Sequence, residues 1–179
     1  MTAVGQSAAT GTPGEERLYF FEDYAVGMRF RSRGRTVTHA DIRLHVGATG
    51  ADHPNHSDEE YCREHPVLEG VCAHGLLILG LVDGFITEEV IRQMAPSMNY
   101  GHDKVRYLKP VYIGDTIHAE IEIVECRPRN DEWGLLRLGV QALNQRGDCV
   151  IFDDHILIVQ RRGAATGADA VEAAPALAS

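Results

Sequence analysis

The chain has 179 residues, a formal net charge of −9 and a pI near 5.4. That length is about one domain's worth. The acidic balance argues against a main partner that is nucleic acid or an anionic membrane. No apolar run approaches the roughly 18 residues needed to span a bilayer. No basic segment followed by an apolar one marks a signal peptide, so the sequence points to a cytoplasmic protein.

Both ends differ from the middle. Residues 1–16 and 163–179 are rich in Ala, Gly, Ser and Thr and poor in large side chains. Such segments bury too little apolar surface to offset the entropy of ordering, so both are expected to be disordered tails. Residues 17–162 remain, enough for one well-filled core. Cys62, Cys72, Cys126 and Cys149 are scattered with no CxxC pair. They read as buried, reduced thiols, and a zinc site built on them is not expected.

In chain order, Met28–Thr38 is rich in β-formers and reads as a strand. Thr38-His39-Ala40-Asp41 resembles a capping box with Asp in place of Glu, and opens a helix that Gly47–Gly50 ends. A polar loop follows, Ala51-Asp52-His53-Pro54-Asn55-His56. Ser57-Asp58-Glu59-Glu60 then caps a short helix ending near His65-Pro66. From Val71 to Val82 the chain is apolar on nearly every side, and the helical pattern runs on to Met94 before Pro96. A helix apolar all round is expected to be buried all round. Met98–Leu108, Asp115–Arg127, Glu132–Gln145 and Cys149–Arg162 read as four long strands, the last three joined by short connections suited to hairpins. Ile117, Ala119, Ile121 and Ile123 alternate with polar neighbours, the pattern of an antiparallel sheet covered on one face. A strand, a buried helix and a meander that curls round it describe an α+β fold of the hotdog type: a single antiparallel β-sheet wrapped around a long central helix.

Two clusters carry groups able to do chemistry. The first is the loop with Asp52, His53, Asn55, His56 and Asp58. Solvation alone also selects polar residues in such a turn. Two histidines three apart beside Asp permit a metal site in principle, but no third, distant ligand is evident, so none is expected. The second cluster is Ala73-His74-Gly75 at the start of the apolar helix. Unpaired N–H groups and the positive end of the helix dipole suit a developing oxyanion there, and Gly75 lets a ligand approach the backbone. Taken singly, His74 also fits a capping or packing role, and Gly75 fits tight helix–strand packing.

Five strings together resemble the MaoC-like (R)-specific enoyl-CoA hydratases and dehydratases. Phe20–Phe30 is similar to their opening FEDxxVG segment, and Thr36–Ile42 to TVTEADI. Thr49–Asp58 lies on SGDxNPxHxD, Ala73–Leu76 on AHGxL, and Arg106–Thr116 on RFLKPVYPGDT. The opening segment is most similar to the mesaconyl- or itaconyl-CoA hydratase-like subset. The resemblance implies a hotdog homodimer or assembly of dimers. It also implies an acyl-CoA substrate, with no cofactor beyond that thioester and no metal. In the family an Asp and a His in the loop polarise the water that adds to an enoyl thioester. His56 matches the His. Ala51 stands where the Asp would be, and His53 where the Asn would be.

Three possibilities follow from that departure. Asp52 enters the site beside His56; or His56 works with His53 or a water network; or hydration is lost and the protein binds acyl thioesters without turning them over. On the first, Asp52 and His56 are catalytic, and His53, Asn55, His74 and Gly75 bind substrate. The expected activity is reversible hydration of an enoyl-CoA, with a silent acyl-thioester-binding subunit or a hotdog thioesterase as alternatives. Lys104, Arg106, Lys109, Arg127, Arg129, Arg161 and Arg162 are the cations available for CoA phosphates.

Overall fold

A computed structural model describes residues 17–164. The tails expected at 1–16 and 163–179 lie outside the described residues, except Gly163 and Ala164, which form a turn closed by Ala164 N–H on the Arg161 carbonyl. Six strands, β1 (Arg29–Arg31), β2 (Arg35–Thr36), β3 (Ser97–Tyr107), β4 (Thr116–Pro128), β5 (Trp133–Leu143) and β6 (Cys149–Gln160), make one antiparallel sheet. Its order is β1-β4-β5-β6-β3, with β2 also on β4. Three helices, α1 (His39–Thr49), α2 (Glu59–Glu64) and α3 (Gly75–Ile86), lie between β2 and β3 in sequence.

The four long strands lie within two residues of the expected bounds. Hydrophobic alternation produces this, because residues i and i+2 share a face. Ile117, Ala119, Ile121 and Ile123 of β4 point inward beside Leu136, Leu138, Val140 and Ala142 of β5, all at most 2 % exposed. Complete burial of one such Leu or Ile contributes about 1.5–3 kcal/mol. The single strand expected over Met28–Thr38 is two short ones. Ser32 interrupts it: its side chain is buried, and its Oγ accepts from Ala119 N–H at 2.8 Å, which replaces a ladder bond. Gly134 on β5 sits under the Phe21 ring, where an added Cβ would lie 2.1 Å from a ring carbon, so only glycine fits.

The Thr38 capping box forms as read. Thr38 Oγ1 accepts from Asp41 N–H at 3.3 Å and Asp41 Oδ2 from Thr38 N–H at 2.8 Å, while Gly50 ends α1 at φ 72°. In α2 the cap is Asp58 rather than Ser57. One Asp58 oxygen accepts from both Glu60 N–H (2.9 Å) and Tyr61 N–H (3.0 Å).

Residues Val71–His74 are extended, with Cys72 bridging to Tyr112, so α3 begins at Gly75. A π-helical segment, Thr87–Ile91, continues it, closed by Arg92 N–H on the Thr87 carbonyl. Ile78, Leu81, Val82, Phe85 and Ile86 press on the sheet. The expectation of burial on every side is corrected here. Leu76 is 65 % exposed, and Leu77 and Leu79 are only partly covered. One sheet layer covers one side of a helix and leaves the other open. Among the described residues no helix is long and apolar enough to cross a membrane. All four cysteines are free, as expected, but only Cys62 and Cys72 are buried, because Cys126 and Cys149 lie near strand ends.

Candidate active site

The polar loop folds onto the extended segment before α3. Cys72 N–H donates to the Asn55 carbonyl at 3.1 Å, and His56 Nδ1 lies 2.7 Å from the Cys72 carbonyl. A carbonyl only accepts, so this contact places the proton on Nδ1 and leaves His56 Nε2 as a free base. His56 is half-buried at the end of a single 3-10 turn, Pro54–His56, that Pro54 pre-sets.

His74, the residue before α3, does not cap the helix with its side chain. Its ring stacks on His56, centroids 3.5 Å apart and planes at 26°. Its Nε2 lies 2.7 Å from the Ala51 carbonyl and donates to it. His45, from α1, tilts against His74 at 4.6 Å. His74 Nδ1 and Asn55 Oδ1 are both buried with no hydrogen-bond partner. Each is an acceptor left open to a donor such as water or a ligand.

Ala51 occupies a tight turn. Asp52 N–H donates back to the Gly50 carbonyl at 2.9 Å, a bond between residues two apart. His74 holds the carbonyl in the middle of that turn. Asp52 then points outward: its carboxylate is exposed and accepts from Ser57 Oγ at 3.3 Å, without a hydrogen bond to His56. His53 is exposed, and its Nδ1 accepts from Asn55 N–H at 3.3 Å. The fold thus brings His56, His74 and Asn55 together, with His53 edge-on to His56 at 6.5 Å and Asp52 at the rim.

Gly75 opens α3, so its N–H is among the first-turn donors without an intrahelical partner. A Cβ on Gly75 would stand 2.8 Å from the Tyr107 ring, which places β3's last residue against the helix start. The sequence by itself does not mark His45, the Cys72 carbonyl or Tyr107 as parts of the site. His45 was findable as a histidine one turn after the fully buried Ile42 of the same helix.

Burial, the largest influence, lowers the His56 pKa below the usual 6.5, and the His74 and His53 rings push the same way. The Cys72 hydrogen bond and the Asp52 charge oppose it. His56 is therefore neutral, and competent as a base, at neutral pH. A rate that needs neutral His56 should decline toward acid pH with a limb centred below 6.5. A pH–rate profile measures the acid limb, and a limb centred above 6.5 would contradict this environment.

Most of the cations considered for phosphates are engaged locally. Lys109 pairs with Asp148, Arg127 with Glu125, Arg161 with Glu22 and Arg162 with Asp23, while Arg129 covers the Tyr100 ring. Lys104 and Arg106 of β3 have no carboxylate within 4.0 Å among the described residues; Lys104 lies over Phe152, and Arg106 bonds the Val105 carbonyl.

A six-stranded antiparallel sheet curled on a central helix, with a His-bearing loop at that helix's start, defines a hotdog protein. Residues 22–141 match the MaoC-like domain, and the chain belongs to that family. It is 29% identical over 153 residues to mesaconyl-CoA hydratase of Cereibacter sphaeroides, covering 84% of this chain and 44% of that one. It is also 29% identical over 111 residues to an (R)-specific enoyl-CoA hydratase of Rhodospirillum rubrum, covering 62% of this chain and 74% of that one. The chain thus spans under half the length of the first relative. Among solved structures, a MaoC-like dehydratase from Rhodospirillum rubrum superposes with a TM-score of 0.70 at 26% identity. That match covers 80% of this chain and 98% of the other.

Proposed function

We propose that this chain is a hydro-lyase that reversibly hydrates an enoyl-CoA thioester. The observation that carries the proposal is His56: Nδ1–H is committed to the Cys72 carbonyl, Nε2 is free, and the ring lies beside the N-terminal start of α3. The family and the two hydratase relatives support the same class.

The chemistry follows from those positions. His56 Nε2 takes a proton from water as the water oxygen bonds C3 of the enoyl group. The C2=C3 π electrons move toward the thioester oxygen, which becomes enolate-like. The Gly75 N–H, at the positive end of the α3 dipole, stabilises that oxygen. The proton on His56 then passes to C2, and the reverse sequence dehydrates a 3-hydroxyacyl-CoA. Asp52 acts from the rim, where its charge supports proton uptake by His56. Asn55 Oδ1 and His53 meet water and substrate. His74 contributes to substrate binding and holds the loop through the Ala51 carbonyl. Of the cations considered for phosphates, Lys104 and Arg106 are left to meet those of CoA. The reaction draws on no cofactor beyond the thioester itself.

The assembly follows from β3. It is the terminal strand of the sheet, and it exposes Met98, Tyr100 and Tyr107. Its last residue touches the helix start at which the site lies. A second copy paired along this edge makes a homodimer whose sites border the shared strand.

The test is direct. Purified protein mixed with crotonyl-CoA or mesaconyl-CoA should remove the enoyl-thioester absorbance of at least one. Ala51 and the outward Asp52 favour one rival reading, an acyl-thioester-binding subunit without turnover. No absorbance loss with either ester, together with a thermal shift by CoA esters, would establish that rival. Release of free thiol would instead indicate a thioesterase.

A further inference from the structure

A second group of metal-ligating side chains lies on the inner face of the sheet, between β3 and β6. His102 pairs with His155 across the two strands. Asp153 is two residues before His155 and therefore on the same face. His102 Nδ1 lies 2.8 Å from one Asp153 oxygen, and His155 Nδ1 lies 3.3 Å from the other. The two imidazoles stand edge to face at 4.7 Å. One ligand atom from each residue falls within 4.8 Å of the other two.

Two features ask for something beyond a packed polar cluster. Asp153 and His155 have side chains that are 0 % exposed, in a strand that otherwise buries Ile151, Ile156 and Leu157. A buried carboxylate needs a counter-charge. Among the described residues no Lys or Arg lies within 4.0 Å of it, and its partners are the two imidazoles. His102, by contrast, keeps 27 % of its side chain exposed, which gives the cluster a path to solvent and an open side.

The backbone is shaped to make the cluster. The β3–β6 register slips between Asn99 and Gly101 and again between His102 and Lys104. Gly101 takes φ +146°, a conformation that glycine adopts readily. The two irregularities flank the pair Gly101–His102, and such bulges re-aim the side chains beside them, here that of His102.

We propose that His102, Asp153 and His155 bind one divalent transition-metal ion of the zinc class. Two imidazoles and one carboxylate are a donor set that Zn²⁺ accepts, with the fourth position left to water at the His102 side. Metal–ligand distances of about 2.0–2.2 Å put tetrahedral ligand atoms about 3.4 Å apart; the two His–Asp153 separations, 2.8 and 3.3 Å, lie near that value, and all three ligand atoms fall within 4.8 Å of one another. The ion supplies the missing positive charge and fastens the terminal strand β3 to β6. The inference rests on these three residues alone and does not depend on the hydratase reading.

The test uses the full chain, freed of metal and titrated with Zn²⁺ in a calorimeter, and separately with Co²⁺ followed by visible absorption. One equivalent of Zn²⁺ per chain and visible Co²⁺ bands are expected. His102→Ala removes the exposed ligand without opening the core. It should weaken binding by more than the roughly 10–100-fold that loss of an outer partner of a metal ligand costs, and abolish the Co²⁺ bands. His56→Ala, in the other histidine cluster, should leave the stoichiometry and affinity unchanged. No binding by the wild-type chain would overturn the proposal. So would binding that survives His102→Ala, or binding that His56→Ala removes.

Discussion

His56→Ala should lower the hydration rate by about 10²–10⁴-fold, the usual size of a general acid–base contribution. The imidazole is half-buried, and the backbone group it bonds is the Cys72 carbonyl, so the variant should still fold. The loop keeps its other ties, Cys72 N–H to Asn55 and His74 to Ala51. The loss should appear in kcat more than in KM, because the base acts as the water proton is removed and not when substrate binds. Steady-state kinetics with the active enoyl-CoA measures it. Unchanged activity would remove His56 from the mechanism altogether.

Gly75→Ala should be nearly as damaging, for a different reason. The new methyl would sit 2.8 Å from the Tyr107 ring, well inside van der Waals contact. Either Tyr107 moves or the start of α3 does. Overpacking of this kind costs about 1–3 kcal/mol of stability. A shift of the helix start also withdraws the N–H proposed to stabilise the thioester oxygen, and loss of one such donor costs about 10²–10³-fold in kcat. Tyr107 is 50 % exposed, so its ring has room to be removed. Gly75→Ala combined with Tyr107→Ala should therefore recover stability in a thermal melt, and activity with it. A double variant as impaired as the single one would show that the methyl itself blocks the substrate.

The strands were legible because alternation is a property of neighbouring residues. The Thr38 cap and the Gly50 stop were legible for the same reason: each is a local rule satisfied within a few positions. The break at Ser32 was not, since it depends on the Ala119 N–H of a strand 87 residues away. The exposed side of α3 was not legible either, because composition records how apolar a helix is and not how many layers cover it. In the loop, the sequence located His56 and its neighbourhood. It did not show the bond from His74 to the Ala51 carbonyl, or the outward turn of Asp52. The His102, Asp153 and His155 cluster depends on strand register and two bulges, which no periodicity in one strand records.

The turn at Ala51 is held through main-chain atoms: Asp52 N–H to Gly50, and the Ala51 carbonyl to His74. The Ala51 methyl takes no part in either bond. Backbone anchoring separates the shape of the loop from the identity of its central side chain, so a change at this position alters the chemistry offered to the ligand without redrawing the path of the chain. The path of this loop and the side chain at its centre are, at this one residue, separately inheritable traits.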